Sequence, residues 1–246
     1  MKGAEARKLE AAEVLQLGLD ELAARGPTFR VSLGAGTPDE QGSPAAKRRA
    51  VVTDLLNRYI AEIELFNGAY GLVGAADRHE LIIKHILDSL APLGVIAAHL
   101  PSGVPLVADA GSGAGLPGIP LSIALPDVDF ALLERMGRRV GFLENTLAAL
   151  SLSNVDVEQT EVERGRAGRY DLVTFRAFRP LEPAMLKALF RLLAPGGVLA
   201  AYKARKEKIE EEMSAIEDLT GAWEAFDTPV PFLEEERRIV IVRQKF

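Results

Sequence analysis

Hydrophobic positions recur along this chain with two different periods, and the places where the period changes predict its elements. Between Glu5 and Arg25, the residues Leu9, Leu15, Leu19 and Leu22 fall at roughly helical spacing, and Gly26-Pro27 ends the run. The stretch from Gly34 to Pro44 is rich in Gly, Pro and polar residues and reads as a loop. Val51, Val52, Leu55, Leu56, Tyr59, Ile60 and Ile63 then form a stripe at i, i+1, i+4 and i+5, which predicts an amphipathic helix. Asp77-Arg78-His79-Glu80 has the form of a capping box and opens a further helix with the body Leu81 to Leu90. The first two helices need a surface to cover. Residues 1–70 are therefore expected to form a helical extension, with its Gly/Pro loop flexible, on a larger domain spanning 71–246.

From Val107 onward short apolar runs alternate with helical patterns. Asp129 to Leu133 predicts a strand ending at Glu134, followed by a helix from Arg138 to Leu150. Val155–Gln159 and Tyr170–Phe175 predict two more strands, and Met185 to Leu193 a helix broken at Ala194-Pro195-Gly196-Gly197. Val198–Tyr202 follows as a strand, and Arg238–Arg243 is expected to close the sheet. This alternation predicts an α/β, Rossmann-like fold with right-handed crossovers, a mostly parallel sheet and helices on both faces. Ligands in such folds bind at the carboxyl ends of strands.

The composition narrows the chemistry. With 48% hydrophobic and 26% charged residues in 246, the chain can bury a sizeable core. No apolar run in the sequence approaches the ~20 residues needed to cross a bilayer, and the charged start leads into no signal-like stretch, so no membrane partner is expected. The absence of cysteine excludes disulfides and thiolate chemistry and fits a cytoplasmic location. None of the three histidines has metal-ligand spacing with another, so no metal site is expected. A net charge of −6 argues against a broadly basic face. It leaves local clusters at Lys47-Arg48-Arg49, Arg135 with Arg138-Arg139, Lys203 with Arg205-Lys206, and Arg237-Arg238. For each of these a solvated surface is the simpler account.

Candidate chemistry concentrates where the first strand meets its helix. Asp109-Ala110-Gly111-Ser112-Gly113-Ala114-Gly115-Leu116 is a glycine-rich turn, and Gly111, Gly113 and Gly115 permit a sharp bend and close approach of backbone to a ligand. Leu116 stands where a dinucleotide fingerprint would carry its third glycine. An acidic residue before a G-x-G-x-G turn instead looks like the first motif of S-adenosylmethionine-dependent methyltransferases. Glu134 lies 23 positions after Gly111, near the ~20-residue offset at which an acidic side chain receives ribose hydroxyls. The alternative for Glu134 is a surface ion pair with Arg138 at i+4. His85 and Asp88, three apart, share a helix face; they address a common site or simply satisfy each other in packing.

Several segments together resemble the bacterial 16S rRNA guanine-N7 methyltransferases, the RsmG family, also called glucose-inhibited division protein B. They are Lys84-His85-Ile86-Leu87-Asp88-Ser89-Leu90, the Asp109–Leu121 run with its Gly-Leu-Pro-Gly-Ile-Pro continuation, and Arg138-Arg139-Val140-Gly141-Phe142-Leu143. Tyr170 to Phe178 and the terminal Glu236–Arg243 run also resemble the family. The resemblance implies a cofactor, S-adenosyl-L-methionine, at Asp109, Gly111, Gly113, Gly115, Leu116, Glu134, Val162, Glu163 and Arg176. It implies catalytic positions at His85, Asp88, Arg176 and Lys203, a 16S rRNA or small-subunit partner, and a monomer. Two departures touch the substrate side: Gly71-Leu72-Val73 stands where many relatives carry Asn-Leu-Thr, and residues 34–46 look like an insertion.

The implied reaction suits the residues present. N7 of guanine already carries an unprotonated lone pair, so no general base is needed and the enzyme works mainly by proximity and orientation. N7 is hard to reach in an A-form helix, so a loop guanine is the expected target. Three other readings stay open: a methyltransferase for a small molecule or protein, a nicotinamide-dependent oxidoreductase, which Leu116 disfavours, and a non-catalytic RNA-binding protein that retains the fold.

Overall fold

The structure is a computed structural model, and it describes residues 6, 8–34, 42–176 and 182–245. Most of the expected loop near 34–46, and Ala177 and Phe178 after the fourth strand, lie outside the described residues.

Among the described residues, seven strands form one sheet in the order β3-β2-β1-β4-β5-β7-β6. They are β1 (Leu106–Ala110), β2 (Asp129–Glu134), β3 (Val155–Gln159), β4 (Tyr170–Phe175), β5 (Leu193–Lys203), β6 (Thr220–Asp227) and β7 (Arg238–Gln244). Pairing is parallel from β3 through β5, and β7 runs antiparallel to both β5 and β6. The expected α/β architecture, mostly parallel with helices on both faces, is therefore present. The expected closing strand is not at the edge: β6 lies outside it. No apolar alternation announces β6, because most of its side chains are solvent-facing or only half-buried.

Alternate residues of each strand feed two cores. Val107, Phe130, Leu132 and Leu172 join one face with the N-terminal helices, while Ala108, Ala131, Val173 and Leu199 join the other. Helices α1 (Ala11–Ala23), α2 (Pro27–Leu33) and α3 (Pro44–Tyr70) contribute Leu15, Leu19, Leu33, Leu56 and Ile60 to the first core. Gly26-Pro27 ends α1 and at once starts α2, since proline suits a first helical position where no amide partner is needed. Ser43 caps α3, accepting from the Ala46 amide at 3.1 Å. Near the middle of α3 the buried Tyr59 hydroxyl donates to the Ala114 carbonyl at 2.8 Å, which ties this helix to the glycine turn.

The expected capping box forms with its return bond shifted by one residue, from the N-cap amide to that of Ala76. The Asp77 carboxylate accepts from the Glu80 amide at 2.8 Å, and Glu80 reaches back to the Ala76 amide at 2.7 Å. After α4 (Arg78–Leu81) the backbone widens into a π-helical turn, Ile82–Leu87, before α5 (Asp88–Leu90) and α6 (Leu93–Ala98). Single π-turns inside helices recur at functional sites. The helical stretch from Arg78 to Ala98 is long and apolar enough to cross a membrane, contrary to the expectation from apolar runs. Its apolar side chains are those of a core helix: 67% of its most apolar window is buried within the protein. The remaining helices are α7 (Gly118–Ala124), buried on every side, α8 (Gly137–Leu150), α9 (Pro183–Leu192) and α10 (Lys206–Ala215).

Candidate active site

The glycine turn is built around two carboxylates. Asp109, at the end of β1, is 1% exposed and accepts from the Gly118 amide at 2.8 Å through Oδ2, while its Oδ1 has no partner. Glu134, at the end of β2, is 4% exposed. One of its oxygens accepts from the Gly113 amide at 3.0 Å and the other from the Met136 amide at 2.8 Å. Each carboxylate oxygen retains a second lone pair, so Glu134 can still accept from a ligand hydroxyl. Its nearest basic side chain is Arg139, at 3.9 Å. The i+4 partner weighed from the sequence, Arg138, instead stands over the Tyr70 ring.

Beside this turn opens a cleft of about 410 Å³, within the range of small-ligand sites. Gly111, Glu134, Val162 and Glu163 line it, together with Arg135, Met136, Arg139, Thr160, Glu161, Leu133 and Met185. Gly111 has φ +72°, a conformation that favours glycine and leaves the backbone open to a ligand. The donors and acceptors present fit an adenosyl cofactor: a buried carboxylate for the ribose and a Val162 side chain for the base. Arg135, Met136, Thr160 and Glu161 were not anticipated. They are the residues that directly follow β2 and β3, so the strand-end rule alone would have found them. Met185 arrives from α9, and only the fold brings it here.

Five of the expected cofactor positions do not line the cleft, Arg176 among them, which stands at the end of β4 instead. Asp109 lies beneath the turn, and Gly113 holds Glu134 through its amide. Gly115 accommodates α7, since a Cβ there would come within 2.5 Å of Ile119 Cδ1. Leu116 places its side chain in the core, at 6% exposure.

A second cluster forms at the end of β4, the strand paired with β1. Arg176 donates to Asp88 Oδ2 at 2.9 Å and to the Lys84 carbonyl at 3.1 Å, and its other amino group lies 3.1 Å from His85 Nδ1. The expected His85–Asp88 hydrogen bond does not form among the described residues; Arg176 stands between them. Asp88 Oδ1 is held by Arg237, at 3.2 Å, a residue the sequence placed only in a basic cluster. Lys203 does not join this group. It pairs with Glu212 at 2.7 Å, and its strand neighbour Ala201 belongs to the opposite core. Among the described residues no group of three His, Asp or Glu side chains could hold a metal ion.

Burial sets the protonation states. The Asp109 carboxyl is pushed up to about 7 by burial and the Glu134 charge, against the pull of the Gly118 amide and Arg176. His85 is pushed down to about 4, first by burial and then by the Arg176 charge. At neutral pH His85 is therefore uncharged, with Nδ1 accepting from Arg176 and Nε2–H left as a donor. A His whose folded value lies below its unfolded one adds stability that is present above about 6.5 and lost as pH falls toward 4. Nitrogen NMR of His85 should accordingly show no protonation down to pH about 5. Titration near 6.5 would show that the ring is solvated and unpaired.

The comparisons agree with this geometry. The family described as rRNA small subunit methyltransferase G (GidB) matches residues 53–241. A ribosomal RNA small subunit methyltransferase G of Treponema denticola is 38% identical over 222 residues, covering 78% of this chain and 87% of that protein. Its counterpart from Stenotrophomonas maltophilia is 36% identical over 207 residues, covering 82% and 92%. Among solved structures, a tRNA methyltransferase of Aquifex aeolicus superposes with a TM-score of 0.52 over 64% of this chain and 69% of its own, at 14% identity, a likeness of fold. With the family matched across the sheet, the cleft and the Arg176 cluster, this chain belongs to the rRNA small subunit methyltransferase G family.

Proposed function

We propose that the protein transfers the methyl group of S-adenosyl-L-methionine to N7 of a guanine in a loop of 16S rRNA, acting as a cytoplasmic monomer. The observation that carries this reading is the juxtaposition of two sites on adjacent strands. The adenosyl-sized cleft opens at the end of β1, and the Arg176–Asp88–His85 cluster stands at the end of β4. Asp109 lies between them and feels the charge of both Arg176 and Glu134.

The cofactor, when bound, supplies an electrophilic methyl on a sulfonium. Glu134 would accept hydrogen bonds from the ribose hydroxyls, the open backbone at Gly111 would pass beside the cofactor, and Val162 with Glu163 would border the adenine. On the acceptor side, the neutral His85 donates through Nε2–H to guanine O6 and leaves N7 free to attack. Adenine presents an amino donor at that edge and would be rejected donor against donor. Asp88, held by Arg176 and Arg237, fixes the Arg176 fork against His85. Arg176 sets the orientation of both. Residues 71–246 form the catalytic domain in this reading, and residues 1–70 brace its glycine turn through Tyr59. Lys203, tied to Glu212, has no part in the transfer.

The test is transfer of labelled methyl to small-subunit RNA, offered both naked and as assembled subunits, followed by mapping of the modified base. Label at N7 of a single guanine is the expected result. Label only in a small molecule or a protein would replace the acceptor. RNA binding without transfer would point to a non-catalytic protein.

A further inference from the structure

Outside the cleft, one surface combines features that catalysis does not use. Arg138, in the first turn of α8, holds its guanidinium 5.7 Å from the centroid of Tyr70, the last residue of α3. Tyr70 packs on Phe66 with ring centroids 5.6 Å apart, and Phe66 meets Phe142 edge-on at 5.8 Å. Phe142 is buried in the core, so the outer pair stands on a rigid aromatic base. Arg138 is exposed and makes no hydrogen bond or ion pair with another side chain among the described residues, and the same holds for Arg135. In a chain with 35 acidic and 29 basic residues, two exposed arginines three positions apart with no acidic partner among the described residues run against the overall charge. Between them Met136 is 48% exposed. Arg135 and Met136 also form part of the cofactor cleft, so this surface adjoins the place of reaction.

We propose that Arg138 and Tyr70 form a stacking platform that holds single-stranded RNA beside the target guanine. The inference rests on the RNA reading above and adds where the strand is gripped. Phosphates complement unpaired guanidinium groups, and an unstacked base gains by lying on an aromatic ring or a guanidinium plane. A small-molecule acceptor would reach the cleft without touching Tyr70. An acidic protein partner would use the charges but would have no need of the ring.

Neither residue lines the cofactor cleft or touches His85, Asp88 or Arg176. The experiment compares Arg138→Gln, Tyr70→Ala and Tyr70→Phe with the unaltered protein. It measures S-adenosylmethionine affinity by calorimetry, binding of a small-subunit RNA fragment across a salt series, and KM and kcat for methyl transfer. Cofactor affinity and kcat should hold. Tyr70→Ala should weaken RNA binding about tenfold or more, while Tyr70→Phe stays within about twofold. Arg138→Gln should lower the slope of log affinity against log salt by about 0.7, the value for one contact to a single strand. Unchanged RNA affinity and KM in Arg138→Gln and in a folded Tyr70→Ala would overturn the platform. Should Tyr70→Ala fail to fold, the surface substitution Arg138→Gln decides alone. Equal losses in Tyr70→Phe and Tyr70→Ala would also overturn it, since stacking survives in phenylalanine. Failure of the unaltered protein to bind or methylate RNA would overturn the RNA reading itself, and the platform with it.

Discussion

Arg176→Ala is expected to lower methyl transfer by about 10²-fold or more, the scale seen when one preorganised donor is removed from a reacting centre. The sequence alone suggests that transfer should fall far more than stability. The structure changes that expectation. The Arg176 side chain is 14% exposed and its Asp88 partner 8%, so deletion strands a buried carboxylate. Breaking such a pair costs about 3–5 kcal/mol when nothing replaces it. Because Arg237 still holds Asp88 Oδ1, a loss of about 2–3 kcal/mol is the better figure. Arg176→Lys separates the two effects. A lysine can neutralise Asp88, but it cannot also donate to the Lys84 carbonyl and His85 from a planar fork. Denaturant melts should show most of the stability regained, while single-turnover transfer stays at least about tenfold down. Full turnover in the lysine variant would mean that charge alone suffices and that the fork has no role.

Gly118→Ala should nearly abolish cofactor binding and destabilise the fold by about 3 kcal/mol, the upper end for overpacking a core. An added Cβ would overlap Leu132 Cδ2 and sit 2.8 Å from Asp109 Oδ2. The methyl group therefore pushes on the carboxylate that anchors the turn and threatens its bond to the Gly118 amide. Gly141→Ala in α8 is the control. Nothing lies within 4 Å of a Cβ there, and alanine in a helix should add about 0.5–1 kcal/mol. Asp109→Asn tests the same anchor by charge. The folded carboxyl is raised from 3.8 to about 7, so its contribution to stability is intact below about 3.8 and lost as pH rises through about 7. Asparagine keeps an acceptor for Gly118 without a charge to bury. Thermal melts should find Asp109→Asn more stable than the unaltered protein at pH about 8 and little different near pH 4. A pH-independent difference would mean that Asp109 is ionised and solvated.

The glycine turn and Glu134 were legible in advance from residue type and spacing around strand ends, and Arg176 from its place just after an apolar strand, whereas Val162 and Glu163 were expected only from the family resemblance. His85 and Asp88 were legible as a pair, but their connection was not. Their real partner is Arg176, some ninety residues away, and the π-helical turn between Ile82 and Leu87 leaves no pattern in residue types. Lys203 lies apart from the His85, Asp88 and Arg176 cluster for a related reason. It is the last residue of β5, a strand end, yet its side chain lies on the opposite face, paired with Glu212 on α10. The edge strand β6 and helix α10 were missed because half-exposed elements carry too few apolar residues to show a period.

By itself the sequence determined the alternating α/β order, the carboxylate-bearing strand ends and the backbone freedom of the glycine turn, since these are local properties of residue type and spacing. Only the tertiary structure decided which charges meet. It set Arg176 and Arg237 on one carboxylate, stood Arg138 over Tyr70 rather than beside Glu134, and sealed Asp109 under α7. The physical reason is that a charge takes its partner and its protonation state from burial and distance. Both are set by chain segments far apart in sequence and packed on a common sheet.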